Sequence, residues 1–250
     1  MDDIVFGSVN DTFAKSFADE MKKIFEMSMV GELTYFLGLQ VKQTNKGVYI
    51  NQAKYTKNIV KRFGLENAAY ARTPKATNTK LGIDPLGQFV DITLYRNMIG
   101  CLLYLTASHS NISFSVDVCD RFQANPKMTH FIAVKKIIKY VSGTCDFVLF
   151  YSKESNVSLV RYSDVDWASN ADDRKSTTGG YYYVGTNLVA WMSKKKKKIC
   201  LSINCRSKIY CCWKLLFTTS LDEKNVGCVR THVFLMLRIY VMILYNWIIL

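Results

Sequence analysis

Residues 31–64, GELTYFLGLQVKQTNKGVYINQAKYTKNIVKRFG, read as two strands followed by a helix. Thr34–Val41 and Val48–Ile50 are rich in β-branched and aromatic residues, and the turn-like Thr44-Asn45-Lys46-Gly47 joins them. Asn51 then sits where a helix cap belongs. Tyr55, Ile59 and Phe63 follow at helical spacing, and Gly64 occupies the C-terminal cap position.

Working outward, Ile4-Val5-Phe6 is a short strand-like run ending at Gly7. Asn10 or Asp11 can cap a helix through Met27, because Phe13, Phe17, Met21, Ile24 and Phe25 recur on one face. Gly31 breaks it. Downstream, periodicity disappears over residues 65–90, where Pro74 and Pro85 stand among Thr, Asn and Gly. Helical patterns return over Asp91–Ala107, Ile112–Phe122 and Lys127–Tyr140, the last between Pro126 and Gly143. Strand character follows at Phe147–Tyr151 and Ser158–Tyr162. A hairpin is expected from Thr178–Val184 and Leu188–Met192, turning at Gly185-Thr186-Asn187. There is no internal repeat.

Composition places the chain among globular proteins: 49% hydrophobic, 21% charged, 13 glycines and three prolines in 250 residues. A net charge of +13 suggests a polyanionic partner, since Lys and Arg clusters neutralise phosphates. Its distribution qualifies that. Residues 1–193 hold 22 basic and 18 acidic side chains, a net of +4, whereas residues 194–250 hold 11 basic and two acidic ones, a net of +9. Cysteine is split the same way, with Cys101, Cys119 and Cys145 in the body and Cys200, Cys205, Cys211, Cys212 and Cys228 behind it. The start lacks the basic and apolar regions of a secretory signal. The expected setting is therefore intracellular, in cytoplasm or nucleus, with reduced thiols.

Two acidic clusters suit metal chemistry. Asp2-Asp3 precede an apolar run and Gly7, and paired carboxylates at a strand turn can hold Mg²⁺ against phosphates. Asp164 follows the apolar strand, and Asp166 points the same way if the strand continues. Solvated acids at strand ends are the plainer alternative for both.

Four blocks carry a resemblance. Gly31–Gln40, Tyr95-Arg96-Asn97-Met98-Ile99-Gly100-Cys101-Leu102-Leu103-Tyr104-Leu105-Thr106, Ala133–Thr144 and Asp173-Arg174-Lys175-Ser176-Thr177-Thr178-Gly179 resemble, in order, blocks of copia-type LTR retrotransposon Pol polyproteins. The resemblance covers residues 1–203. It implies an α+β chain: a partial reverse transcriptase palm over 1–64, a linker over 65–90 and a helical thumb or connection over 91–145. An incomplete ribonuclease H-like sheet is implied over 146–203.

The resemblance also assigns chemistry. Asp2 and Asp3 match the paired aspartates of a Tyr-x-Asp-Asp box, with Met1 at the x position, and Asp164 matches the first metal-binding acid of the ribonuclease H fold. Together they are the implied Mg²⁺ ligands. The tyrosine and the other palm acid would lie upstream of Met1, so the site is expected to be incomplete and the chain inactive alone. Family members continue after the hairpin with a Leu-Ser-Thr-x-Glu-Ala-Glu-Tyr-like run, whose helix supplies a catalytic glutamate. Here Leu201-Ser202-Ile203-Asn204-Cys205-Arg206-Ser207-Lys208-Ile209-Tyr210 holds no acid.

A frameshift accounts for that departure. Reverse-translating Asn204–Val226 with permitted codons, and reading one nucleotide forward, yields TAEAKYIAAGSCCLQLLWMKRML, which resembles the missing helix. Residues 204–250 are then read as a shifted tail. Its cysteines and His232 lack the C-x-x-C pairing of a zinc site. Val233–Leu250 is 18 residues long, short for a membrane span, and contains Arg238.

Three functions compete at this point. The first is a catalytically inactive polymerase and ribonuclease H fragment of a lineage that acts on template–primer and RNA–DNA hybrids. The second is a nucleic-acid-binding remnant using Lys194, Lys195, Lys196, Lys197 and Lys198. The third is a membrane-associated product through the apolar C-terminus.

Overall fold

A computed structural model describes residues 4, 6, 8, 11–76, 80–156, 158–166, 172, 173 and 176–195. The fold is α+β, with helices packed beside two antiparallel sheets.

The first helix, α1 (Asp11–Ile24), has the expected apolar spacing. Its Phe13, Phe17 and Ile24 are nonetheless exposed, and Phe17 meets Phe6 with ring centroids 5.0 Å apart. The first sheet follows: β1 (Tyr35–Phe36), β2 (Leu39–Thr44) and β3 (Gly47–Asn51), joined by β4 (Leu149–Ser152), in the order β1-β2-β3-β4. The single strand expected over Thr34–Val41 is in fact two. Leu37 at φ 45° and Gly38 at φ 76° reverse the chain, because consecutive positive φ values make a two-residue hairpin. Tyr104 donates its hydroxyl to the Leu37 carbonyl and closes over Gly38, where a Cβ would lie 2.6 Å from the Tyr104 hydroxyl oxygen.

Alternation in this sheet is clean. Leu39, Val41, Val48, Ile50 and Tyr151 form one buried face, while Tyr49 and Phe150 stack on the other with centroids 4.6 Å apart. Residues 149–152, which the sequence grouped with the later strands, hydrogen-bond to β3 instead, with Val48 opposite Tyr151. Gly47 permits this approach, since a Cβ there would collide with the Tyr151 carbonyl.

The helical core comprises α2 (Ala53–Arg62), α3 (Ile92–Leu105), a 3₁₀ turn (Ser110–Ile112), α4 (Ser113–Asp120) and α5 (Met128–Ser142). Asn51 lies one residue before the cap position but still serves it, accepting the Ala53 N–H at 3.2 Å. Asp91 caps α3 by accepting from Thr93 and Leu94. Tyr95, Met98, Ile99, Leu102 and Leu105 line one side of α3 and pack against Ile59, Val116, Val134, Ile137, Ile138 and Val141. Each fully buried aliphatic side chain there contributes roughly 1.5–3 kcal/mol.

Residues 65–90 contain no helix or strand among those described, and yet they are strapped to α5. Met128 N–H donates to the Gln88 carbonyl at 2.9 Å, and His130 Nε2 lies 2.7 Å from the Gly82 carbonyl.

The second sheet is β5 (Leu159–Asp166), β6 (Thr177–Val184) and β7 (Asn187–Lys195), in the order β5-β6-β7. Gly185, at φ 58°, and Thr186 make the β6–β7 turn, so Asn187 begins β7 and is not part of the loop. Polar contacts help fasten this sheet to the rest. The Asn187 amide exchanges hydrogen bonds with the Ser152 backbone, Trp191 Nε1 donates to the Thr106 carbonyl, and Arg121 donates to Thr177 Oγ1.

Candidate nucleic-acid interface and metal-binding acids

Of the acids singled out in the sequence, Asp2 and Asp3 lie outside the described residues. Asp164 sits on β5 opposite Gly179 of β6, with its side chain exposed. The strand runs further than expected, to Asp166, which pairs with Thr177 through the backbone. Among the described residues no group of three or more His, Cys, Asp or Glu side chains could hold a metal ion. These residues alone therefore do not fit a Mg²⁺ site, because two-metal chemistry needs converging oxygen ligands from several elements.

The lysine run divides. Lys194 and Lys195 close β7 opposite Thr178 and Thr177, and Lys195 Nζ pairs with Asp173 Oδ2 at 2.7 Å. Lys196, Lys197 and Lys198 lie outside the described residues, as do Cys200–Cys228, His232 and Val233–Leu250. Within the described residues no helix is long and apolar enough to cross a membrane.

A second cationic surface emerges from the fold. Helix α2 buries Thr56, Ile59 and Val60 against the core and turns Lys54, Lys57, Lys61 and Arg62 outward. Lys54, Lys57 and Lys61 recur at helical spacing, so they form one stripe. The segment Asn51–Leu65 contains no acid at all. Lys61 and Arg62 suit the negative end of the helix dipole, but Lys54 in the first turn opposes it. That unfavourable placement is not offset by a neighbouring carboxylate within the helix. Tyr55, on the flank of the stripe, packs edge-on against Tyr104 at 4.8 Å, which anchors α2 to α3. Arg62 lies over the Phe63 ring, 5.6 Å from its centroid, and keeps its charge at the surface.

In the sequence the stripe is overshadowed by the five consecutive lysines Lys194–Lys198. The available signal was subtler: four cations and no anion over one helix length, all on positions that the apolar period leaves outside.

Cys101, Cys119 and Cys145 form no disulfide, and burial pushes the Cys119 thiol up to about 12, far from thiolate at neutral pH.

Comparison with known proteins places these observations. Residues 1–77 match the family model described as reverse transcriptase (RNA-dependent DNA polymerase). The chain is 32% identical over 199 residues to the Retrovirus-related Pol polyprotein from transposon RE2 of Arabidopsis thaliana. It is 33% identical over 199 residues to the corresponding polyprotein from transposon RE1 of the same plant. To that from transposon TNT 1-94 of Nicotiana tabacum it is 29% identical over 211 residues. Each match covers 80% of this chain but only 14% of the RE1 and RE2 polyproteins and 16% of the tobacco one. No solved structure matches it.

Proposed function

Because the chain belongs to the copia-type retrotransposon Pol polyproteins, we propose that it is a Pol fragment that binds nucleic-acid duplex without cleaving or extending it. The observation that carries this reading is the acid-free, outward cationic stripe of α2. A helix presenting several cations at regular spacing can follow a phosphate backbone, releasing counterions as it binds.

The family reading assigns residues 1–64 to the reverse transcriptase palm, 91–145 to the thumb or connection, and β5–β7 to the opening strands of a ribonuclease H sheet. Three antiparallel strands with Asp164 on the first support the last assignment. The family's Mg²⁺ chemistry would run through Asp2, Asp3 and Asp164, but the glutamate expected within Leu201–Tyr210 is absent from the sequence. A shift of reading frame near residue 203 accounts for that absence. Genomic sequence that encodes the helix in the neighbouring phase supports the shift, and an uninterrupted frame without it refutes it. The proposed setting is intracellular, where template and hybrid are found.

A titration of the purified chain against a labelled RNA–DNA hybrid at several salt concentrations tests the binding. Log affinity that falls steeply and linearly with log salt is expected. Affinity that is undetectable, or indifferent to salt, defeats the proposal.

A further inference from the structure

Four buried polar side chains lie along the seam between the start of α2 and the turn after α3, three of them in contact. Gln52 and Thr56 are 0% exposed, His109 2% and Ser108 6%. Gln52 is the N-cap residue of α2, and Thr56 lies one turn further along its buried side. Ser108 Oγ donates to Gln52 Oε1 at 2.7 Å and lies 2.9 Å from His109 Nδ1.

Counting protons shows that this network cannot close by itself. Ser108 has one hydroxyl proton and gives it to Gln52, so His109 Nδ1 must carry the proton on the second contact. The opposite ring nitrogen, Nε2, is then a bare acceptor. If the Gln52 amide is turned over, Ser108 instead donates to Nδ1 and Nε2 becomes a donor facing the Thr144 backbone. With the amide as placed, Nε2 is an acceptor without a donor. It is joined by Gln52 Nε2 and Thr56 Oγ1, neither of which has a partner within the protein. Three orphaned polar atoms on side chains this deeply buried would each cost about 1–3 kcal/mol.

We propose that the Gln52–Thr56–Ser108–His109 cluster is a binding site for one or two internal waters. One or two waters that donate to His109 Nε2 and accept from Gln52 Nε2 and from Thr56 Oγ1 satisfy all three atoms, each within the two to four bonds that buried waters usually make. The bridge fastens the first turn of α2 to the segment between α3 and α4. That turn presents Lys54 and Lys57, so the water seam fixes the end of the cationic stripe. Burial lowers the His109 pKa, with only a smaller opposing contribution from the backbone at Thr144, which keeps the ring neutral as the bridge requires.

The sign of one substitution separates a hydrated site from a dry one. Thr56→Val in the full chain removes a hydroxyl without changing its shape. If waters bridge the cluster, the change breaks the network and Tm falls, by about 2–5 °C. If the hydroxyl is truly unpartnered, a methyl in its place relieves a desolvation cost and Tm rises. Independently of whether that variant folds, the isotope-labelled unaltered chain should show persistent water cross-peaks at the His109 ring and the Thr56 methyl. A raised Tm, or the absence of those cross-peaks, overturns the proposal.

Discussion

Tyr95 donates its hydroxyl to the Cys119 carbonyl at 2.8 Å, joining α3 to α4 at a point where Tyr95 has no solvent exposure. A phenol can be wholly buried only if its oxygen keeps a partner, and here the partner is a carbonyl in the last turn of α4 that also accepts from the Phe122 N–H at 3.1 Å. Burial raises the Tyr95 pKa well above that of an exposed phenol, so it remains a donor at any working pH. Tyr95→Phe removes one of the two hydrogen bonds to that carbonyl at little change in volume. A loss of about 0.5–1.5 kcal/mol is expected, read as a lower Tm by thermal unfolding. An unchanged Tm would show that the Phe122 N–H alone satisfies the carbonyl.

Gly38 and Gly64 make a controlled pair. Both have positive φ, 76° and 66°, but a Cβ at Gly38 meets the Tyr104 hydroxyl while one at Gly64 meets open space. Gly64→Ala should cost only the left-handed strain, about 1–2 kcal/mol. Gly38→Ala should cost more, because it also pushes Tyr104 off the Leu37 carbonyl. Chemical denaturation of the two variants should rank them in that order.

The pH dependence of stability has a definite sign at His109. Burial depresses its folded pKa below 6.5, so the unfolded chain binds this proton more readily than the folded one. The contribution is fully present above pH 6.5 and is lost as the pH falls through the lower folded value. Denaturation midpoints should therefore drop on mild acidification below 6.5. His109→Gln, which is neutral throughout, should flatten that part of the profile.

The cationic stripe predicts a salt signature. Replacing Lys54, Lys57 and Lys61 together by Gln should lower the slope of log affinity against log salt by roughly 2–3 units, about 0.9 for each duplex phosphate no longer neutralised. Replacing Lys195 should do far less, since its charge already faces Asp173. Equal effects from both sets would move the binding surface to β7.

Much of this architecture was legible in the sequence. Helices α3 and α5 were found within one or two residues, because Asp91 caps the first and Pro126 and Gly143 bracket the second. The β6–β7 hairpin was visible from Gly185 and its flanking aromatics. What escaped detection depended on distant partners. Phe36-Leu37-Gly38-Leu39 reads as continuous strand until Tyr104, far along the chain, is seen fixing the turn at Leu37. Residues 149–152 look like the start of a later sheet, and only the bare edge of β3 beside Gly47 claims them. Residues 65–90 lack any period because the groups holding them, at the start of α5 and in Asp172, come from elsewhere. For the site, Asp164 is legible as an acid beside an apolar strand, although β5 runs past it to Asp166, and the α2 stripe needs knowledge of which side of the helix is buried.

The proposed binding of duplex without metal-dependent chemistry is tested by a time course of the purified 250-residue chain on an end-labelled RNA–DNA hybrid, with Mg²⁺ and with chelator. Bound but intact RNA, at the same background rate in both conditions, is the expected result. RNA fragments that accumulate only with Mg²⁺ would contradict it.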